Sequence, residues 1–256
     1  MIVFIRYMNK NTLYKMLSVL LALVLWQLIA WKIDMDMLLA SPLDVIKRLG
    51  TIWKEPQFIS TVAFSFFRIT MGFLCAFAAG IVLGAAAGSL HFVEILLWPY
   101  LIAIKNVPIA SFIILFLLWM NFSQLTILIA FLIAFPVIYS NVLQGIKSTD
   151  RKKKELAELY HVPWNRRLLY IYLPSVKPYI LSAGSIAVGM TWKAGVAAEI
   201  IGLIDGSIGE MLYNAKVYFQ NADLLCWTLI IIILSVCSEK LFRFLLKATF
   251  KGVEKL

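Results

Sequence analysis

The sequence predicts an all-α polytopic membrane protein, on three observations. Of its 256 residues, 62% are hydrophobic and only 15% are charged, where soluble domains carry charge on roughly a quarter of residues. The apolar residues gather into runs close to the roughly 20 that cross a bilayer as a helix. The basic residues gather between those runs, so the net charge of +10 reads as a topology signal and not as nucleic-acid recognition.

Six spans follow in order. The first, about 13–31, is flanked by Arg6, Lys10 and Lys15 and lacks an Ala-x-Ala-like cleavage site, so it reads as an uncleaved helix. Next, Ser41-Pro42-Leu43-Asp44 is a capping-box pattern with proline at the first helical position. Val45, Ile46, Leu49, Ile52 and Trp53 then mark an amphipathic helix, too short to span and suited to the interface. The second span, about 69–90, carries Gly80, Gly84 and Gly88 at four-residue spacing, with Gly72 two turns earlier. Small residues on one stripe let another helix approach closely.

The third span, about 100–120, has Pro99 and Pro108 bracketing Lys105, which predicts irregular first turns. Ser123 and Gln124 form a short turn before the fourth, about 125–143, which contains Pro136. A fifth lies near 179–203 and a sixth near 224–242, ahead of a basic tail. Cys75, Cys226 and Cys237 sit in apolar runs without metal-type spacing and read as small core hydrophobes. Three regions result: residues 1–55 with the first span and the interfacial helix, a core over 56–247, and a tail over 248–256.

Between spans four and five lies the longest polar island, KELAELYHVPWNRRLLYIYLP from Lys154 to Pro174. Ser148, Thr149 and Asp150 offer helix N-caps, and Leu156, Leu159 and Tyr160 recur at helical spacing. The residue before a proline is biased out of the α region, so His161-Val162-Pro163 breaks this helix. Pro163 starts a second one, with Trp164, Leu168 and Ile171 on its apolar side, and Leu173-Pro174 closes it. Glu155 and Glu158 fall on the polar side. This is a helix–turn–helix on the membrane surface, built to hold something.

Basic loops stay in the cytoplasm. The 144–178 loop holds Lys147, Arg151, Lys152, Lys153, Lys154, Arg166, Arg167 and Lys177, whereas 120–124 has no basic residue and 204–223 only Lys216. Six spans then place both termini and the helix–turn–helix inside. No phosphate-binding loop, metal-type cluster or nucleophile elbow is present, so no catalytic residues are assigned. The polar residues within spans are Thr191, Lys193 and Glu199, with Ser182 and Ser185 nearby. An ionisable residue in a span is a functional hypothesis, set against snorkelling or pairing with another span.

With these residues in view, the chain resembles the transmembrane subunit of a bacterial ABC importer of the nitrate/sulfonate/taurine permease group. That family's cytoplasmic signature is E-x-A-x-x-x-G, nine residues, then I-x-L-P. Glu155, Ala157, Ile171, Leu173 and Pro174 match it, and His161 replaces the glycine. Arg68, Gly72, Gly80, Gly84 and Gly88 match the second-span pattern. Pro99, Lys105, Pro108 and Trp119 match the third, with Ile114 and Asn121 where the later proline and glycine usually stand. Gly184, Gly189, Trp192, Ala198 and Glu199 match the fifth, and Ile186 stands where the family commonly has arginine.

The resemblance implies a type I ABC importer permease fold in the bacterial cytoplasmic membrane and a homodimer of this subunit. It also implies two ATPase subunits, which bind ATP and Mg while this chain binds no cofactor, and an extracytoplasmic solute-binding protein. The solute would be a sulfonate-, nitrate- or taurine-like anion or a vitamin precursor. The helix at 152–161 would be the coupling helix, docking the ATPase through Glu155, Leu156, Ala157, Leu159, Tyr160 and His161, with Pro174 closing the motif. The translocation pathway is expected at Thr191, Trp192, Lys193 and Glu199. Lys193 and Glu199, six residues apart, point to nearly opposite sides of one helix. A secondary transporter or a channel without an ATPase is the rival reading. His161 is expected at a left-handed position with modest strain.

Overall fold

The computed structural model describes residues 10–33, 35, 38–120 and 122–253. Arg6, Asn121 and residues 254–256 of the tail, all named above, lie outside them. Every regular element among the described residues is helical. The chain divides into two compact units, Met1–Ile59 with Met211–Ile230, and Ser60–Glu210 with Ile231–Leu256.

In the first unit, α1 (Lys10–Ile33) leads to α2 (Pro42–Thr51) and a 3₁₀ turn (Ile52–Lys54). The N-cap forms as expected: Ser41 Oγ accepts the Asp44 N–H at 3.3 Å, and the Asp44 carboxylate meets the Ser41 hydroxyl, which donates to Oδ2 at 2.5 Å. Val45 and Ile52 are buried, whereas Ile46 and Trp53 stand exposed on the other side, the two-faced pattern of an interfacial helix. Arg48 is held by Glu55 and by both oxygens of Asp223 at the start of α11 (Asn221–Val253). Its hydrogen bonds to Asp223 raise its pKa, so this pin between α2 and α11 does not titrate.

The second unit is organised by α3 (Phe58–Ser89), α6 (Phe122–Lys147) and α9 (Leu173–Gly202). The glycine stripe of α3 lies against α6. A Cβ on Gly72 would come within 2.4 Å of Ile127 O, and one on Gly80, Gly84 or Gly88 would meet Ile138, Val142 or Ile146 at 2.7–2.9 Å. The stripe therefore sets the interaxial distance, as its spacing predicts. Gly72→Val is expected to lower the unfolding midpoint of the purified protein by an overpacking cost of about 1–3 kcal/mol. Gly50→Ala, with nothing within 4 Å of the added Cβ, should leave it unchanged or raise it. Equal midpoints for the two variants would remove the packing role.

Span three departs from a straight helix. It is α4 (His91–Asn106) and α5 (Ile109–Leu117), bent by 99° at Val107-Pro108. Pro108 has no N–H and forces Val107 extended, with ψ 130. Pro99 and Pro136 lie inside α4 and α6 without breaking them. Lys105, at the end of α4, donates to Ser140 Oγ on α6 at 2.8 Å. The expected turn at Ser123-Gln124 is a correction: α6 begins at Phe122, and the turn falls at Leu118–Met120.

Four helical stretches are long and apolar enough to cross a membrane, 13–33, 58–89, 124–147 and 164–202, and the bent pair makes a fifth. The chain is thus a multi-pass α-helical membrane protein. The sixth expected span falls within the 33-residue α11. Cys75 and Cys237 are exposed and only Cys226 is buried, because a span presents one face outward as well as one inward.

Candidate functional site

Asp150 starts the surface helix α7 (Arg151–Leu159) by accepting the Lys152 N–H at 2.9 Å. Its end is closed by two backbone bonds, His161 N–H to Glu158 C=O at 3.0 Å and Val162 N–H to Ala157 C=O at 2.9 Å. This 6→1 and 5→2 pair is a Schellman motif, and His161 takes the left-handed position with φ +46. The turn survives the loss of glycine as expected. His161→Gly should relieve left-handed strain worth up to about 1 kcal/mol, read as a small rise in unfolding midpoint. A fall would show that the His161 side chain holds the turn.

Pro163 caps α8 (Trp164–Arg167), as its position predicts. The expected stop at Leu173-Pro174 is a correction. The chain stays helical through a π-helical stretch, Leu168–Tyr172, and Pro174 sits in the first turn of α9. Pro174 has no N–H to give to the preceding turn, and the wider π turn before it gives its ring room. The loop is therefore coupled to α9 by continuous helix.

Ala157 is buried. Its carbonyl accepts from Arg167 Nη2 at 3.0 Å, while Arg167 Nε donates to Val162 O at 2.7 Å. One guanidinium thus clamps both sides of the His161 turn. Sequence reasoning missed Arg167, since no spacing rule joins it to Ala157. On the outer side, Leu156, Leu159 and Tyr160 are 53%, 72% and 74% exposed. Glu155 is exposed too, paired with Arg151 one turn back at 2.8 Å. Three large apolar side chains around a carboxylate form an unpartnered face on a rigid stub.

The four expected pathway residues separate. Thr191 and Trp192 are buried, Trp192 beside the Phe66 ring at 6.1 Å and Thr191 Oγ1 donating to Val188 O at 2.7 Å. Glu199 is fully buried. Its Oε2 accepts from Ser65 Oγ at 2.8 Å and from the Gly209 N–H at 3.2 Å, and Ser65 Oγ accepts the Ile208 N–H at 2.9 Å. The carboxylate thus caps the N-terminus of α10 (Ile208–Val217) and ties it to α3. Glu199 Oε1 and Arg68 Nη1 are left without partners among the described residues. Lys193 alone of the four is exposed, about 120° around α9 from Glu199 by its six-residue spacing. It lines a groove of about 670 Å³ shared with α11.

Comparison with known proteins adds to this geometry. The chain matches the family described as binding-protein-dependent transport system inner membrane component over residues 76–251. It is 26% identical to the protein described as an aliphatic sulfonates transport permease, SsuC, of Bacillus subtilis strain 168, covering 83% of this chain and 77% of that one. It is 27% identical to the nitrate import permease protein NrtB of Synechococcus elongatus (75% and 72% covered). Identity is also 27% to the formylaminopyrimidine transport permease protein ThiX of Halalkalibacterium halodurans (73% and 75%).

Proposed function

Because the chain belongs to the family of binding-protein-dependent transport system inner membrane components, the permeases of ABC importers, we propose that it forms the translocation pathway for a small solute handed over by an extracytoplasmic binding protein. Two copies of the chain assemble with two ATPase subunits in the bacterial cytoplasmic membrane. The solute is a sulfonate-, nitrate- or taurine-like anion or a vitamin precursor. Both termini and the α7 loop face the cytoplasm, with α11 as the sixth crossing.

The observation that carries this reading is α7 itself. A membrane protein gains nothing from holding Leu156, Leu159 and Tyr160 in water unless a partner covers them. An ATPase cleft that receives α7 would move it as a rigid body, and the unbroken helix from Trp164 to Gly202 would pass that motion into the spans. The exposed stripe of the otherwise buried α9, which includes Pro178, Ser182, Ile186, Met190 and Lys193, supports a second copy and a pathway on that side.

The test is co-expression with an ATPase and a binding protein from the same organism. The three should co-purify, and ATP hydrolysis and uptake should need all of them. The chain alone should hydrolyse no ATP, since its sequence has no phosphate-binding loop. Solute flux through the chain alone in liposomes would favour a secondary transporter or channel and overturn the proposal.

A further inference from the structure

We propose that the groove between α9 and α11 is an anion-selecting segment of the pathway, and that Arg243 of α11 sets its selectivity together with Lys193. The inference rests on the permease reading and adds to it the charge class of the solute and a residue on a second helix. Along the groove stand Lys193 on α9 and Glu239, Arg243 and Lys247 on α11. Three cations against one carboxylate leave a net charge of +2 per copy.

Arg243 is held in place. Its Nε and Nη2 donate to Ser185 Oγ at 3.1 and 3.0 Å, and Nη2 also donates to Glu239 Oε1 at 2.6 Å. Glu239 is therefore spent on orienting the guanidinium and cannot neutralise the rest. Lys193 and Lys247 make no hydrogen bond or ion pair among the described residues. Ser185 accepts from Arg243, which leaves its own O–H to donate, and Ser182 lies one turn away on the same exposed face. Guanidinium, ammonium and hydroxyl donors on one wall are the groups that bind oxyanions. Gly189, where an added Cβ would meet nothing within 4 Å, keeps the α9 backbone clear between Ser185 and Lys193. The volume of about 670 Å³ is in the range that takes a small ligand with room for water.

An anionic lipid headgroup has the same chemistry as a free oxyanion, but depth argues against it. Lys193 lies two helical turns beyond Ser185, about 12 Å along α9, on the side away from the cytoplasmic ends of both helices. An unpaired ammonium at that depth needs water.

The experiment uses the full chain in nanodiscs of neutral lipid, with Cys75, Cys226 and Cys237 replaced by alanine and Ser182→Cys as reporter. Its labelling rates are compared for an anionic methanethiosulfonate, carrying a sulfonate, and a cationic one, carrying trimethylammonium, each normalised to a free thiol. The anionic reagent should be preferred about tenfold, the scale on which a charged cleft concentrates counter-ions. Arg243→Gln and Lys193→Met should each cut the preference severalfold, while Arg243→Lys keeps most of it. If Arg243→Gln fails to fold, Lys193→Met still decides, because that side chain is exposed and has no partner among the described residues. Equal rates, or no labelling by either reagent, would overturn the inference. So would suppression of labelling when phosphatidylglycerol replaces the neutral lipid, which would make the groove a headgroup site. The assay needs neither ATP nor a partner, so a lost preference leaves the permease reading standing. Failure to co-purify with an ATPase removes that reading without changing the rates.

Discussion

Glu199→Leu is expected to abolish uptake and to lower the unfolding midpoint of the purified chain, with an energetic loss on the order of 3 kcal/mol. The direct bonds do not account for that figure, because hydrogen bonds between membrane spans contribute only about 0.6–2 kcal/mol each. The larger cost comes from what is left behind. Ser65 Oγ and the Gly209 N–H both lose their acceptor, and each orphaned buried group costs about 1–3 kcal/mol. Arg68, whose Nη1 lacks a partner among the described residues and whose guanidinium lies 3.6 Å from the Phe64 ring centroid, loses the favourable charge of Glu199.

Nor can the backbone close the gap. A Cβ on Gly209 would stand 2.3 Å from Glu199 Cβ, so the α10 N-terminus already rests on α9. Glu199→Gln keeps an acceptor oxygen and should lose about half as much. If Glu199→Leu unfolds at the wild-type midpoint, the carboxylate is not what holds α10 to α3.

How far the fold was legible from the sequence depended on whether its cause was local. The N-caps at Ser41 and Asp150 and the left-handed position of His161 are set by a few neighbouring residues, and each formed as expected. The glycine stripe announced a close helix contact, because absent side chains can be counted. That the partner would be α6 was not legible, since nothing near Gly72 encodes Ile127. Two proline readings met different outcomes. The irregularity expected around Pro108 proved to be a 99° break, and Pro174 continued a helix expected to stop, because the outcome depends on the turn surrounding the ring.

The candidate site divides along the same line. The exposed face of α7 was readable from Leu156, Leu159 and Tyr160. The division between Lys193 and Glu199 followed from helical geometry alone. What each of them meets did not: Ser65 lies 134 residues from Glu199, and Arg243 lies 58 from Ser185. Contacts of that separation are created by packing, and no local pattern in the chain carries them.

Glu155→Arg is expected to leave the chain folded and inserted but to cut ATP-driven uptake at least tenfold. Within the chain the change is small. Glu155 is exposed, and its partner is Arg151 on the next turn of the same surface helix, a pairing worth about 0.3–0.5 kcal/mol. Placing a second arginine beside Arg151 costs a similar amount by like-charge repulsion. The unfolding midpoint should therefore stay within error of wild type.

Docked, the same position behaves differently. Leu156, Leu159 and Tyr160 would be covered by the ATPase, and Glu155 with them, so its counter-charge would meet a cation in place of a carboxylate. Disrupting one member of such a covered pair costs about 2–5 kcal/mol, or some 30-fold to several-thousand-fold in affinity. Uptake should be lost while hydrolysis by any ATPase still bound continues unstimulated by the binding protein. Leu159→Asp, on the same face but with no charge to pair in the free chain, should have the same effect. Wild-type uptake by an assembled complex carrying Glu155→Arg would show that α7 is not where the ATPase engages.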